Sequence, residues 1–266
     1  MALLDKKQLK SFLDKKTKEY NHPRFILNDP ISIPKKFSKL QDIEIIGLWT
    51  ALLSWGQRVS IINSGNRLIE LMDGSPFDFV INHTEKDRAR FLKFVHRTFQ
   101  PIDALVFLDF FQKYYQLNES LEDAFYVDSN IDPIKKGLIQ FKNIFFNSEL
   151  IPKRTQKHIA SPLKNSACKR LNMFLRWMVR DDEIVDFGKW KKINKKDLLV
   201  PLDVHVQRIA LSLGLLKREK ADWKALMELM ENLRELDPKD PGKYDYALFG
   251  LGILQNDGLG EDKMFV

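Results

Sequence analysis

Apolar positions recur along this chain at intervals of three and four, and no segment sustains the alternation of a half-buried strand. The pattern predicts an all-α protein. A charged amphipathic helix is expected over 4–19, followed by an extended connection over 22–37 that carries Pro23, Pro30 and Pro34. The run from Ile43 to Trp55 is apolar almost all round, which marks a helix enclosed on every side. Further helices are expected over 60–72, from Ser75-Pro76-Phe77 onward, and over 85–94, 101–115, 121–125, 132–147, 166–180, 203–217, 222–236 and 244–254. Residues 154–165 are polar and turn-like, and 181–199 read as an inserted surface loop. The architecture this implies is one domain of two helical lobes with a central cleft. Lobe one covers about 42–200, and lobe two covers about 1–41 plus 201–266.

Two of these helices carry candidate chemistry. On 166–180, the positions Ala167, Leu171, Phe174, Leu175 and Met178 form a core-facing stripe, while Lys169, Arg176 and Arg180 share another face. Lys169 lies in the first turn, where the positive end of the helix dipole, together with any burial, favours loss of its proton, as an amine nucleophile requires. The same spacing fits a solvated basic face. In the second segment, Pro201 and Leu202 precede Asp203, and an apolar stripe follows at Val206, Ile209, Ala210, Leu213 and Leu216. Asp203 therefore stands where an N-cap belongs. A carboxylate so placed is oriented and held ionised, which suits a purely structural cap and also suits stabilisation of a developing cation.

Charge and cysteine content narrow the field. A net charge of +7 over 266 residues favours phosphate-bearing partners, and fits equally a protein that binds nothing acidic. The basic stretch around Lys189, Trp190 and Lys191 fits phosphate tracking or a solvated charge run. With one cysteine, Cys168, the chain can build neither an internal disulfide nor a Cys-only zinc or iron–sulfur cluster, and that cysteine reads as a small buried residue. No apolar run reaches the roughly 20 residues a membrane span needs, and the start does not read as a leader, so a cytoplasmic protein without membrane association is expected. There is no phosphate-binding glycine loop, zinc-protease helix or nucleophile elbow; no cofactor or metal is expected, and the chain is expected to act as a monomer.

The segment VPLDVHVQRIALSLGL resembles the Val-Asp-x-His-x-x-Arg signature of the helix-hairpin-helix DNA glycosylases, nearest to their 8-oxoguanine branch. NSACKRLNMFLRW is similar to that family's helix after the hairpin, which carries a Schiff-base lysine in its bifunctional members. ALLSWGQRVSIINSGNRLIELM resembles its early helix pair. These blocks occur in the family's order. The chain as a whole is also similar to an uncharacterised bacterial family that shares them. The resemblance implies a DNA repair enzyme acting on damaged duplex, with Lys169 attacking the sugar C1′ and Asp203 assisting base loss. His205 and Arg208 match positions at the phosphate-facing start and inside of the second helix. Gln57 matches the residue that fills the gap left by an everted base, in a turn one residue shorter. Phe249 and Tyr246 on the late helix, and Met173, would line the base pocket. The family hairpin carries glycines, whereas this chain has SPLKNSAC: either Asn165 takes the left-handed conformation or the grip on DNA is altered. Lys169 and Asp203 are 34 residues apart, a spacing the 181–199 loop lengthens. A non-catalytic nucleic-acid-binding protein of the same fold and a helical scaffold for protein partners remain the competing readings.

Overall fold

The computed structural model describes residues 5–256. In chain order its α-helices are α1 (Lys6–Tyr20), α2 (Pro23–Leu27), α3 (Leu40–Leu53), α4 (Arg58–Leu71), α5 (Pro76–Asn82), α6 (Glu85–Arg88), α7 (Pro101–Tyr115), α8 (Glu122–Phe125), α9 (Pro133–Phe145), α10 (Lys169–Val179), α11 (Val204–Ser212), α12 (Trp223–Leu236) and α13 (Tyr244–Asn256). Among the described residues there is no strand, only an isolated bridge between His96 and Phe99, so the protein is all-α. None of these helices is long and apolar enough to cross a membrane.

Most expected helices lie within a few residues of their predicted positions, and the departures have local causes. The 22–37 connection is not extended. Pro23 opens α2, and Pro30 and Pro34 open 3-10 turns, each at a position where its missing N–H costs nothing. Asp29 secures the first of those turns by accepting from the Ile31 N–H at 3.0 Å. Helix α11 stops at Ser212 rather than Lys217, because Gly214 takes a left-handed φ of 71° and ends it.

The chain divides into two compact units, Met1–Leu27 with Ser161–Val266, and Asn28–Ala160. The expected boundaries near 41 and 200 lie elsewhere for stated reasons. The turns at 30–36 pack on α3 and α4, which carries 28–41 into the second unit. Arg176 of α10 donates to Asp245 of α13 and pairs with Asp186 of the loop after α10, which carries 161–200 into the first. Residues 257–266, placed in lobe two by the sequence, lie outside the described residues.

The Asn28–Ala160 unit is built around α3, whose face-independent apolarity matches burial of every residue from Ile43 to Leu53. Trp49 stacks between Phe91 and Phe107 at 6.0 and 5.5 Å, the centre of an aromatic core. Two buried acids tie loops to this core. Glu44 accepts from Tyr115, Ser120 and the Leu121 N–H, and Asp103 accepts from Thr155 and His158.

In the other unit, α13 is the central helix, with α1 and α11 packed on it. Two glycines permit this. A Cβ at Gly250 would lie 2.3 Å from the Tyr20 ring of α1, and one at Gly252 would lie 2.8 Å from the His205 Cβ of α11. The 181–199 loop is a further correction to the sequence reading. It is not a surface insertion: the Phe187 and Trp190 N–H groups donate to the Trp177 and Met178 carbonyls at 2.7 and 2.9 Å, and Val185, Asp186, Trp190 and Leu198 are buried.

Candidate active site

The turn before α10 solves a backbone problem without glycine. After a 3-10 turn over Pro162–Lys164, Asn165 adopts φ 55°, ψ 25°, and Cys168, at the N-cap of α10, adopts φ 49°, ψ 36°. Of the two possibilities left by the sequence, the left-handed asparagine is the one observed. Asparagine tolerates this conformation better than most residues. Here it is also tethered: its Nδ2 donates to Asp222 Oδ2 at 3.0 Å, and its carbonyl accepts from the Trp223 N–H at 3.1 Å. Asp222 is held well below the usual carboxylate range, mainly by the hydrogen bond from Arg218, with the Ala225 N–H and Asn165 adding to it. Replacing Asn165 with glycine is expected to change stability by less than about 1 kcal/mol, because the backbone gains ease as the tether is lost, whereas Asn165→Val is expected to cost about 2 kcal/mol or more. Urea midpoints of the two variants check this.

The turn delivers Lys169 as the first residue of α10. Asp203 caps α11, and its Oδ1 accepts from the His205 and Val206 N–H groups at 2.9 and 3.0 Å. The other oxygen is left to face the lysine: Lys169 Nζ lies 3.9 Å from Asp203 Oδ2, with the two side chains 29% and 20% exposed. That separation is within ion-pair range yet too long for a direct hydrogen bond. Met173, one turn along α10, closes the near side with its sulfur 3.9 Å from the amine. The pair thus offers an amine and an oriented carboxylate, partly shielded and within ion-pair range of each other.

Behind the pair lies a buried ionic network the sequence reading did not find. Arg176 and Arg180, read as a solvated face with Lys169, are 4% and 6% exposed. Arg176 donates to Asp245 on α13 and, at 3.3 Å, to Asp186. Arg180 reaches Asp186 at 3.2 Å, Asp182 at 2.5 Å and both oxygens of Asp240 at 3.2 and 3.1 Å. The sequence held a signal for this: arginines at i and i+4 beside an apolar stripe, and an acid, Asp245, inside an otherwise apolar helix. Burial raises Asp186, with Arg176 and Arg180 opposing.

The other proposed contacts divide. Phe249 is half-buried and meets the His205 ring edge-on at 6.2 Å, close to the Asp203 cap. Tyr246 is 1% exposed beneath the Arg176 and Arg180 guanidiniums, at 4.5 and 5.5 Å, so it supports the network and cannot line an open pocket as it stands. Trp190 is likewise 1% exposed and packs edge-on against Phe174 at 5.2 Å, which removes it as a stacking platform for a nucleotide. Its neighbour Lys189 is exposed, and Lys191 is exposed but paired with Asp181 at 2.9 Å. Arg208 donates to the Gly252 carbonyl at 2.5 Å and braces α11 on α13, a packing role. Gln57 lies exposed at the N-cap of α4 in the Asn28–Ala160 unit, beside Gly56 at φ 100°. Among the described residues, no group of three or more acidic, histidine or cysteine side chains is placed to hold a metal ion.

A family model described as a protein of unknown function, DUF2400, matches residues 29–254, more than half of the chain. The chain belongs to this family. The DUF2400 stretch takes in Lys169, Asp203, Arg176 and Asp245, and leaves out α1 and α2. No curated protein and no solved structure matches the chain.

Proposed function

We propose that this protein is a DNA repair glycosylase with lyase activity, of the helix-hairpin-helix kind, acting on a damaged base everted into a cleft. The observation that carries the reading is the 3.9 Å approach of Lys169 Nζ to Asp203 Oδ2, two side chains 34 residues apart in sequence and both at helix starts. The basic net charge suits a phosphate-bearing partner.

In this reading the glycosidic C1′–N bond breaks with its electron pair going to the base, which takes a proton. Asp203 Oδ2 stabilises the positive charge that develops on the sugar. The neutral Lys169 amine forms a bond to C1′. The C1′–O4′ bond then breaks, the amine proton passes to O4′, and an imine results. Loss of the C2′ proton and of the 3′ phosphate, with its C3′–O bond electrons, nicks the strand. Met173 flanks the amine, and Phe249 with His205 borders the carboxylate, so these are the residues that would meet the extruded nucleotide.

The test is incubation with duplexes carrying 8-oxoguanine, uracil or an abasic site, followed by borohydride reduction of any imine to a stable amine. A covalent protein–DNA adduct is expected with the unaltered protein and not with Lys169→Gln. The second reading, a nucleic-acid-binding protein without chemistry, is favoured by the turn before α10, which carries no glycine. It is the outcome in which duplex binding occurs and no adduct forms.

A further inference from the structure

Helix α1 carries six lysines and two acids, and its lysines fall into two sets. Lys6, Lys10 and Lys16 pair with Glu235, Asp14 and Glu19 at 2.9, 2.7 and 2.8 Å. Lys7, Lys15 and Lys18 are exposed, and none of them forms an ion pair among the described residues. At about 100° per residue these three lie within about 80° of one another around the helix, and from Lys7 to Lys18 the stripe rises about 16 Å. The opposite face holds Leu13, Thr17 and Tyr20, which are buried where α1 packs on α13.

The helix is held firmly in place. Asp5 and Gln8 close a capping box at its start, and Asp14 is joined to Lys243 at 2.9 Å and to Tyr244 at 3.1 Å. The outer lysines add nothing to that hold. Lys7 lies in the first turn, where the helix dipole disfavours a cation, and Lys15 and Lys18 are like charges three residues apart.

We propose that Lys7, Lys15 and Lys18 form a docking stripe for the phosphate backbone of a DNA duplex, on a stretch flanking the one held at Lys169 and Asp203. The proposal rests on the reading of DNA as the partner, and not on the chemistry at Lys169.

The stripe's own composition selects a polyanion over a lipid surface. Ser11 lies among the three lysines, and Asp14 at the edge is met by Lys10 and Lys243. No apolar side chain stands in the stripe to enter an acyl layer. Phosphates of one strand follow one another about every 3.4 Å along a duplex, so a stripe of about 16 Å spans about five of them. Lysine ammoniums on flexible stems can meet three of those without a fixed geometry. The position of α1 points to flanking duplex. Gly250 admits the Tyr20 ring of α1, and Gly252 admits the His205 Cβ of α11. Two residues apart on one helix, these glycines face nearly opposite sides of α13, so α1 lies across α13 from the helix that Asp203 caps. Two interaxial distances, roughly 16–20 Å, separate the axes of α1 and α11.

The test is the salt dependence of duplex binding. A labelled duplex of about 20 base pairs is titrated with the full chain between about 0.05 and about 0.2 M salt. In the triple variant Lys7→Gln, Lys15→Gln, Lys18→Gln, the slope of log affinity against log salt is expected to be shallower by about 2 to 3, with affinity at about 0.1 M salt at least about tenfold weaker. Arginine at the same three positions is expected to keep the original slope. Thermal unfolding of the glutamine variant is expected to match that of the unaltered protein, since exposed charges alone are removed. A glutamine slope that coincides with the unaltered one overturns the proposal, as does failure of the unaltered protein to bind the duplex. Vesicles of phosphatidylglycerol and phosphatidylcholine are the second probe. Vesicle binding that is lost in the glutamine variant, with the duplex slope unchanged, assigns the stripe to lipid and overturns the proposal. Borohydride trapping of the unaltered protein on an abasic duplex is run alongside. An adduct with no change of slope defeats the stripe alone. A change of slope with no adduct supports the stripe and defeats the glycosylase reading.

Discussion

Asp203→Asn is expected to slow removal of a damaged base by roughly 10²–10³-fold, while imine formation at a ready-made abasic site survives. The substitution is clean because the two oxygens of this carboxylate do different work. Oδ1 caps α11 through the His205 and Val206 N–H groups, and an asparagine carbonyl can take over both bonds. Oδ2 faces the Lys169 amine, and its charge is what the variant loses. In the proposed reaction, base loss depends on that charge because positive charge grows on the sugar as the bond breaks. Attack at an abasic aldehyde does not need it, since the base has already gone. Single-turnover rates on a damaged duplex that the unaltered protein cleaves, set beside adduct yields on an abasic duplex, give both quantities. Equal excision by the variant would reduce Asp203 to a helix cap.

The largest stability effect is expected at Arg176. Arg176→Met is expected to destabilise the fold by about 3–5 kcal/mol, because it leaves Asp245 and Asp186 buried without the cation they share. The deficit should depend on pH in a defined direction. A carboxyl whose folded-state value is raised binds its proton in the native state before the unfolded chain does, so its burden on stability is absent at low pH and grows as pH rises through that value. Burial already raises Asp245 to about 6, and raises Asp186, with Arg176 resisting both shifts. Without the arginine both rise further. Urea unfolding of the variant should therefore show a gap from the unaltered protein that is smaller at about pH 5 than at about pH 8. A pH-independent gap would mean that packing of the arginine stem, and not charge, is what the fold requires.

The helices and their caps were legible in the chain because they are written locally. Asp203 and Asp222 cap the helices they were expected to open, and Pro101 starts α7 where the sequence placed it. The approach of Lys169 to Asp203 was visible only through resemblance, since no spacing rule joins residues 34 apart across a loop. The ionic network was legible only in part, through the i, i+4 arginines and the lone acid in an apolar helix. Helical periodicity assigns Arg176 and Arg180 to a polar face, and only the path of the 181–199 loop and of α13, which bring Asp186 and Asp245 over that face, makes it an interior. Trp190 misled for the same reason. Basic neighbours suggested exposure, yet the backbone bond from its N–H to Met178 turns the indole inward against Phe174. The glycine-free turn was readable to the extent that asparagine is the residue best suited to the left-handed conformation after glycine; the left-handed Cys168 had no signal in the sequence.

The most direct measurement is the site of attachment of the reduced adduct on the unaltered protein. After borohydride trapping on an abasic duplex and digestion of both chains, peptide mass mapping should place the sugar remnant on the Lys169 side chain. Attachment at any other amine, or no attachment by a folded protein that retains duplex binding, would contradict the pairing of Lys169 with Asp203 as a catalytic unit.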